Sequence, residues 1–366
     1  MRARVRGGAA GAALIGLLAA GCGGGGGDAP PDGTGTASGG FPVTVGGCAG
    51  AVTTFAAPAR RIVTDDAASL ELLLRLGAGD RVIGTGFPAG TRALTGALGE
   101  AARRVEVLSE GGIPKERLLA SGADLHVSTF GPPEGAGSGG GGGDVPTAAE
   151  FEAVGIQRVQ LRSTACPEDA DGADGPVTDL SAVEADVTAL GAVTGTSARA
   201  RQLVAGMRAE VAAARKVVAA SGRARPTYFF FDYDAGTRQP VAVCNRQVAH
   251  AVITLAGARN LFAGCDGTHE RVGWEDVIAG DPEWIQLGVR HRGGAAADRE
   301  AFDEAERWLR TNPATRGLAA VEERRFVRVG SEATTIAGVG NAHTVRRIAE
   351  ILHGDGGRGA NGGGRP

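Results

Sequence analysis

Apolar and polar positions change their period along this chain, and those changes divide it. Arg61-Ile62-Val63-Thr64 is an apolar run of strand length, and Asp65-Asp66 behind it are helix-start residues. Leu70, Leu73 and Leu74 then recur at helical spacing across Ala67 to Leu76, and Gly77 and Gly79 stop that helix. The alternation repeats with a strand over Arg81 to Gly84, a short helix over Pro114 to Ala120 and a strand over Asp124 to Ser128. A short helix at Phe151 to Val154 and a strand at Gly155 to Leu161 follow. Strands alternating with helices predict a parallel sheet in α/β packing.

Between Thr178 and Ala220 the pattern is purely helical. Asp179 is placed to cap a helix running to about Val193, and Ser197 to cap a second running to about Ala220. Leu203, Met207, Val211, Ala214 and Val218 form one stripe on the second helix. At about 1.5 Å per residue it spans roughly 35 Å, enough to join two separate lobes. The strand–helix alternation then resumes: strands at Thr227 to Phe231, Trp284 to Leu287 and Phe326 to Val329, with helices at Val248 to Ala256, Trp274 to Ile278, Phe302 to Arg310 and His343 to Leu352. The predicted fold class is α/β, with two α/β lobes joined by a single long backbone helix and a cleft between them. The N-terminal lobe is expected over 51–177, the helical linker over 178–222 and the C-terminal lobe over 223–353.

The chain has 366 residues, of which 62 are Gly, with 43% hydrophobic and 22% charged residues. That supports two ordinary domains. The net charge of −3 and the absence of any Lys/Arg run exclude a nucleic-acid surface. At the N-terminus, Arg2, Arg4 and Arg6 precede a short apolar run, Ala9 to Ala20. The run is too short to span a bilayer comfortably and reads as a secretory signal over 1–21. Ala19-Ala20-Gly21-Cys22 resembles a bacterial lipobox, although Leu18 stands four residues before the Cys where such boxes usually carry it three before. Lipidation is expected at Cys22, with ordinary signal cleavage as the alternative. The Gly-rich stretch to residue 50 is expected to be a flexible tether. A Gly-rich insertion at 131–144 lacks the Gly-Lys-Ser/Thr of a phosphate loop and is expected to be a mobile surface segment; the Gly-rich tail 354–366 is expected to be disordered. Four further cysteines in an exported chain predict disulfides. Of three connectivities, Cys48–Cys166 with Cys244–Cys265 places one bridge in each lobe.

Several ordered fragments carry a family resemblance: Gly79-Asp80-Arg81-Val82-Ile83-Gly84, Pro114-Lys115-Glu116-Arg117-Leu118-Leu119, Ala123-Asp124-Leu125, Leu255-Ala256-Gly257-Ala258-Arg259-Asn260-Leu261, Trp274-Glu275-Asp276-Val277 and Asp281-Pro282-Glu283-Trp284-Ile285. With Arg61-Ile62-Val63 and Glu71-Leu72-Leu73 before them, the chain from about Arg60 to His353 resembles the helical-backbone (class III) substrate-binding proteins of ABC importers for ferric siderophores, haem and cobalamin. It departs from them in Ala123, in His126 where a hydrophobic residue is usual, and in the 131–144 insertion. The resemblance implies an extracytoplasmic, lipid-anchored, monomeric receptor. Such a receptor captures a small-molecule metal chelate and delivers it to an ABC permease dimer and its ATPase, without a cofactor of its own. It also implies that Glu116 and Glu275, one per lobe, dock onto permease arginines; the plainer reading is support of a helix dipole.

Candidate cleft residues follow from the rule that open α/β sheets bind ligands at strand carboxyl ends. They are Asp65, Asp66, Phe87 and Phe130 in the first lobe, with Asp232, Tyr233 and Trp274 in the second. Asp66 reads more readily as an N-cap than as a ligand contact, and Tyr233 equally as core. The six His show no His-x-His or His-x3-His spacing, so no metal ligand is predicted, with His126 alone placed near the cleft. No nucleophile elbow or His-Glu-x-x-His motif supports an enzyme. The alternatives to a transport receptor are an exported metal-binding enzyme and a surface sensor without a transporter.

Overall fold

The computed structural model describes residues 40–130, 145–165, 175–235 and 238–354. The expected lipidation site Cys22, the 131–144 insertion, Cys166 and nearly all of the C-terminal tail lie outside these residues. The described residues belong to one compact unit.

It opens with a hairpin of β1 (Val43–Gly46) and β2 (Val52–Phe55), paired antiparallel. Val45 and Phe55 are buried, so β1 belongs to the folded core although patterning alone assigns that stretch to the tether. Then come β3 (Ile62–Thr64), α1 (Ala67–Arg75), β4 (Val82–Thr85), α2 (Gly96–Arg103), α3 (Lys115–Leu119), β5 (Leu125–Ser128), α4 (Ala148–Ala153), β6 (Gln157–Gln160) and α5 (Arg162–Ala165). The four main strands form an all-parallel sheet in the order β4-β3-β5-β6. Every residue of the central strands β3 and β5 is buried, as expected where helices cover both faces.

Two helices lead out of this lobe, α6 (Ser181–Val193) and α7 (Ser197–Ser221). The 25 residues of α7 extend about 37 Å and end at Gly222, whose φ of 60° gives the left-handed cap that glycine adopts without penalty. The stripe read from the sequence is the packed face: Met207 and Ala214 are buried, and Leu203, Val211 and Val218 pack on the same core. That core runs without a break from the first sheet along α6 and α7 into the second lobe.

The second lobe contains β7 (Thr227–Asp232), β8 (Val241–Val243), α8 (Val248–Leu255), β9 (Arg259–Asn260), β10 (His269–Arg271), α9 (Trp274–Gly280), β11 (Trp284–Gly288), α10 (Ala295–Thr311), α11 (Ala319–Glu322), β12 (Phe326–Val327), α12 (Ser331–Thr335) and α13 (Gly340–His353). Its main sheet is again all parallel, in the order β12-β11-β7-β9. Cys244 and Cys265 are joined by a disulfide. Cys48 is also disulfide-bonded, and its expected partner, Cys166, lies outside the described residues. Among the described residues no helix is long and apolar enough to cross a membrane.

Candidate functional site

All strands within each main sheet run the same way, so each sheet has one carboxyl edge. His291, just past β11, places its Nε2 2.8 Å from the backbone oxygen of Arg92, in the turn after β4. The contact joins the carboxyl end of one sheet to the carboxyl end of the other. The two edges therefore face across one cleft, where open α/β sheets present ligand-binding loops. Two surface hollows lie away from these edges. One of about 220 Å³ is lined by Leu180, Glu184, Arg208 and Arg215, and one of about 480 Å³ by Leu74, Asp80 and Arg104.

The N-terminal edge is built around a tight elbow after β4. A Cβ on Gly86 would stand 2.8 Å from the Asp65 carbonyl oxygen and 2.9 Å from Ile113, so only glycine fits there. Phe87 follows with φ 36° and ψ 57°, in the left-handed region, and is 48% exposed. Bulky residues rarely adopt that backbone, and such strain concentrates at functional sites. Phe130, two residues past β5, is 53% exposed. Since β3 alone separates their strands, the two ends lie about 10 Å apart. Between them the Asp65 carboxylate pairs with His126 Nε2 at 2.6 Å, and the buried imidazole stacks on Phe151 at 5.4 Å between centroids. His126 is thus held by a carboxylate and a ring rather than left open as a ligand.

Asp66 is buried. It caps α1: its Oδ1 accepts from the Ala68 and Ser69 N–H groups and from the hydroxyls of Ser69 and Thr129. Burial nevertheless pushes its pKa up. The N-cap accounts for Oδ1, whereas the buried Oδ2 has no hydrogen-bond partner among the described residues.

On the C-terminal edge, Tyr233 is a core side chain and Trp274 is half-buried against the same core. The Tyr233 ring packs edge-on to Phe231 and Trp308 and is covered by the Arg238 guanidinium, 3.4 Å from its centroid. Its hydroxyl donates to Glu304 at 2.7 Å, and burial, reinforced by that bond, pushes its pKa up to about 12. Trp274 packs edge-on to Phe229 and Phe231 and donates its indole N–H to the Arg238 carbonyl. Phe229, Phe231 and Tyr233 share one face at intervals of two, so alternation along β7 carries Tyr233 into the core, and position at the strand end alone is the misleading guide. Asp232 itself is half-buried, and burial pushes its pKa up although Arg290 opposes the shift. Its Oδ1 has no hydrogen-bond partner among the described residues.

The sequence reading missed Arg92, Arg238, Arg290 and His291. These are single basic residues without a motif, and only the fold brings them to the edges. Among the described residues the single cluster of metal-ligating side chains is Cys244, Cys265 and Glu270. Its two sulfurs are consumed by the disulfide.

Glu116 and Glu275 are both exposed and have no ion-pair partner among the described residues. Each stands in the first turn of a helix, α3 and α9, that leads into a strand of its sheet, β5 and β11. A helix feeding a parallel strand runs back along the sheet, so both helix starts lie level with the carboxyl edges. Ile278, three residues beyond Glu275, is 45% exposed.

Two parallel-sheet lobes joined by a long helix, with their sheets' carboxyl edges facing each other, are an architecture suited to holding a solute between lobes. Residues 62–333 match the family model for periplasmic binding proteins, and the chain belongs to that family. The family is one of extracytoplasmic binding proteins and not of enzymes. A periplasmic binding protein from Veillonella parvula superposes with a TM-score of 0.71 at 24% identity, covering 86% of this chain and 99% of its own. A protein of the ABC-type Fe3+-hydroxamate transport system from Saccharomonospora viridis gives 0.66 at 25% identity, covering 85% and 99%. The periplasmic vitamin B12-binding protein of Vibrio cholerae gives 0.58 at 15% identity, covering 81% and 97%. No curated protein sequence matches the chain.

Proposed function

We propose that this chain is the receptor of an ABC importer, capturing an iron-siderophore-type chelate, or a cobalamin or haem, in the cleft between its lobes. The observation that carries the reading is the pair of exposed aromatic rings, Phe87 and Phe130, at the carboxyl edge of the first sheet. Water-facing phenyl groups at a ligand edge suit the faces of an organic chelate or macrocycle. Arg290 and Arg92 supply positive charge on the two sides for an anionic rim. A neighbour of similar fold at 25% identity belongs to a ferric-hydroxamate system, which supports the siderophore class first. Glu116 and Glu275 would dock the loaded receptor onto permease arginines, and a lipid on Cys22 would hold it beside the membrane.

The test is titration of purified protein with a ferric trihydroxamate, haemin and cyanocobalamin, read by tryptophan fluorescence, together with native mass spectrometry of protein taken from its host. One of the three should bind at micromolar concentration or better. Failure of all three, with no small molecule retained in the native spectrum, would overturn the reading.

A further inference from the structure

The loop after β11 is held with unusual completeness. The N–H of Arg290 donates to Asp234 Oδ2 at 2.6 Å, that of His291 to Glu332 Oε1 at 3.3 Å, and that of Arg292 to Asp298 Oδ1 at 2.7 Å. Three successive amides are thus caught by three carboxylates, from the turn after β7, from α12 and from α10. The Arg292 guanidinium adds a bond to Asp234 Oδ1 at 2.7 Å. What this rigid loop presents is the His291 ring. Its Nδ1 lies 2.7 Å from Asp298 Oδ2, and its Nε2 lies 2.8 Å from the Arg92 carbonyl oxygen of the other lobe. Among the described residues this is the side-chain hydrogen bond that runs directly from the second sheet's lobe to the first sheet's lobe across the cleft mouth.

Both partners of the ring are acceptors. A neutral imidazole carries one N–H and satisfies one of them; only the imidazolium satisfies both. We propose that His291 is a proton-operated latch that holds the two lobes together at the mouth of the cleft. When the ring loses a proton, Nδ1 keeps its hydrogen, because a carboxylate is the stronger acceptor. Nε2 then turns a lone pair toward the Arg92 oxygen, and the interlobe bond becomes a repulsion. Asp298 stands in the first turn of the long helix α10, where negative charge is favoured, and Glu332 and Asp234 add negative charge on the same lobe. The positive groups facing it are Arg290 and Arg292 on its own loop and Arg92 across the mouth. The latch favours a closed cleft at lower pH and an open one at higher pH. It rests on the reading of the cleft as the capture site, but its test needs no ligand.

The test measures the distance between spin labels carried on noncanonical residues placed at Arg103 on α2 and Arg299 on α10, which leaves the native cysteines alone. Ligand-free protein is compared at about pH 5.5 and about pH 8.5. The closed-to-open ratio should be about three- to tenfold higher at the lower pH, the size expected of one charge-assisted bond at a partly exposed site. His291→Ala should be open at both values. Asp298→Asn gives the sharper result. An amide N–H facing Nδ1 lets a neutral ring donate from Nε2, so this variant should stay closed at the higher pH. A wild-type distribution that does not move with pH, or one that moves equally in His291→Ala, would overturn the latch whatever the ligand proves to be. So would an Asp298→Asn variant that opens at high pH as wild type does.

Discussion

Replacing Phe87 by Gly separates ligand capture from folding, and its two effects can be worked from the structure. The residue sits at φ 36°, where an L side chain costs about 1–2 kcal/mol, and glycine removes that cost. Against this, a phenylalanine side chain carries roughly 200 Å² of surface. With 48% of the residue exposed, about 100 Å² is buried in the folded chain, partly against Gly111, and its loss removes about 2.5 kcal/mol. The added chain freedom of glycine costs about 0.5–1 kcal/mol more. The net expectation is a fold weaker by about 2 kcal/mol, which a domain of this size tolerates. Ligand binding should suffer separately. A chelate that covers the exposed half of the ring buries another 100 Å² or so, and forfeiting that contact weakens affinity by roughly 50-fold. Urea unfolding reads the first quantity, and fluorescence titration with the ligand that wild type binds reads the second. If stability falls as calculated while affinity stays within twofold, Phe87 is a structural residue and the aromatic-edge argument fails.

Other expectations follow from the same geometry. Asp186 is buried on α6, accepts the Arg162 and Ser163 N–H groups and the Ser163 hydroxyl, and burial pushes its pKa from 3.8 up to about 6. Because the folded value lies above the unfolded one, the folded state holds this proton more tightly. Its contribution to stability therefore falls as pH rises from about 4 to about 6, by about 3 kcal/mol. Urea midpoints measured across that window should show this slope in wild type and lose it in Asp186→Ala; an unchanged slope refutes the assignment. Glu116→Ala and Glu275→Ala should leave affinity in the isolated protein unaltered and reduce uptake in cells, the double variant most; lost affinity would place these residues in the ligand site instead. Tyr233→Ala should destabilise the second lobe by about 3–5 kcal/mol, as emptying an aromatic core position does, and urea unfolding measures it directly. Cys22→Ala should release the protein from membranes or leave the precursor uncleaved, and unchanged membrane association would dismiss the lipid anchor.

Element type and order were legible from local rules. Apolar runs of strand length, helical stripes and glycine stops announce two parallel sheets, and the stripe from Leu203 to Val218 is the buried face of the joining helix. These features depend on near neighbours in the chain, where period alone decides which face meets the core. The hairpin of β1 and β2 escaped that reading because its strands are short, half polar and bordered by glycine. The site was half legible. Asp65, Phe87 and Phe130 follow β3, β4 and β5 in the chain, and the sheet direction fixes where those loops emerge. Position at a strand end could not say which way a side chain turns after the strand: Asp66 folds inward to cap α1, and Tyr233 and Trp274 close the aromatic core under Arg238. Nor could any local pattern find His291, because its two partners come from α10 and from the other lobe, 199 positions away for Arg92. Sequence determines the elements, whose forces act over a few residues. The tertiary structure alone decides which distant donors and acceptors meet, and so what the cleft can hold and what can close it.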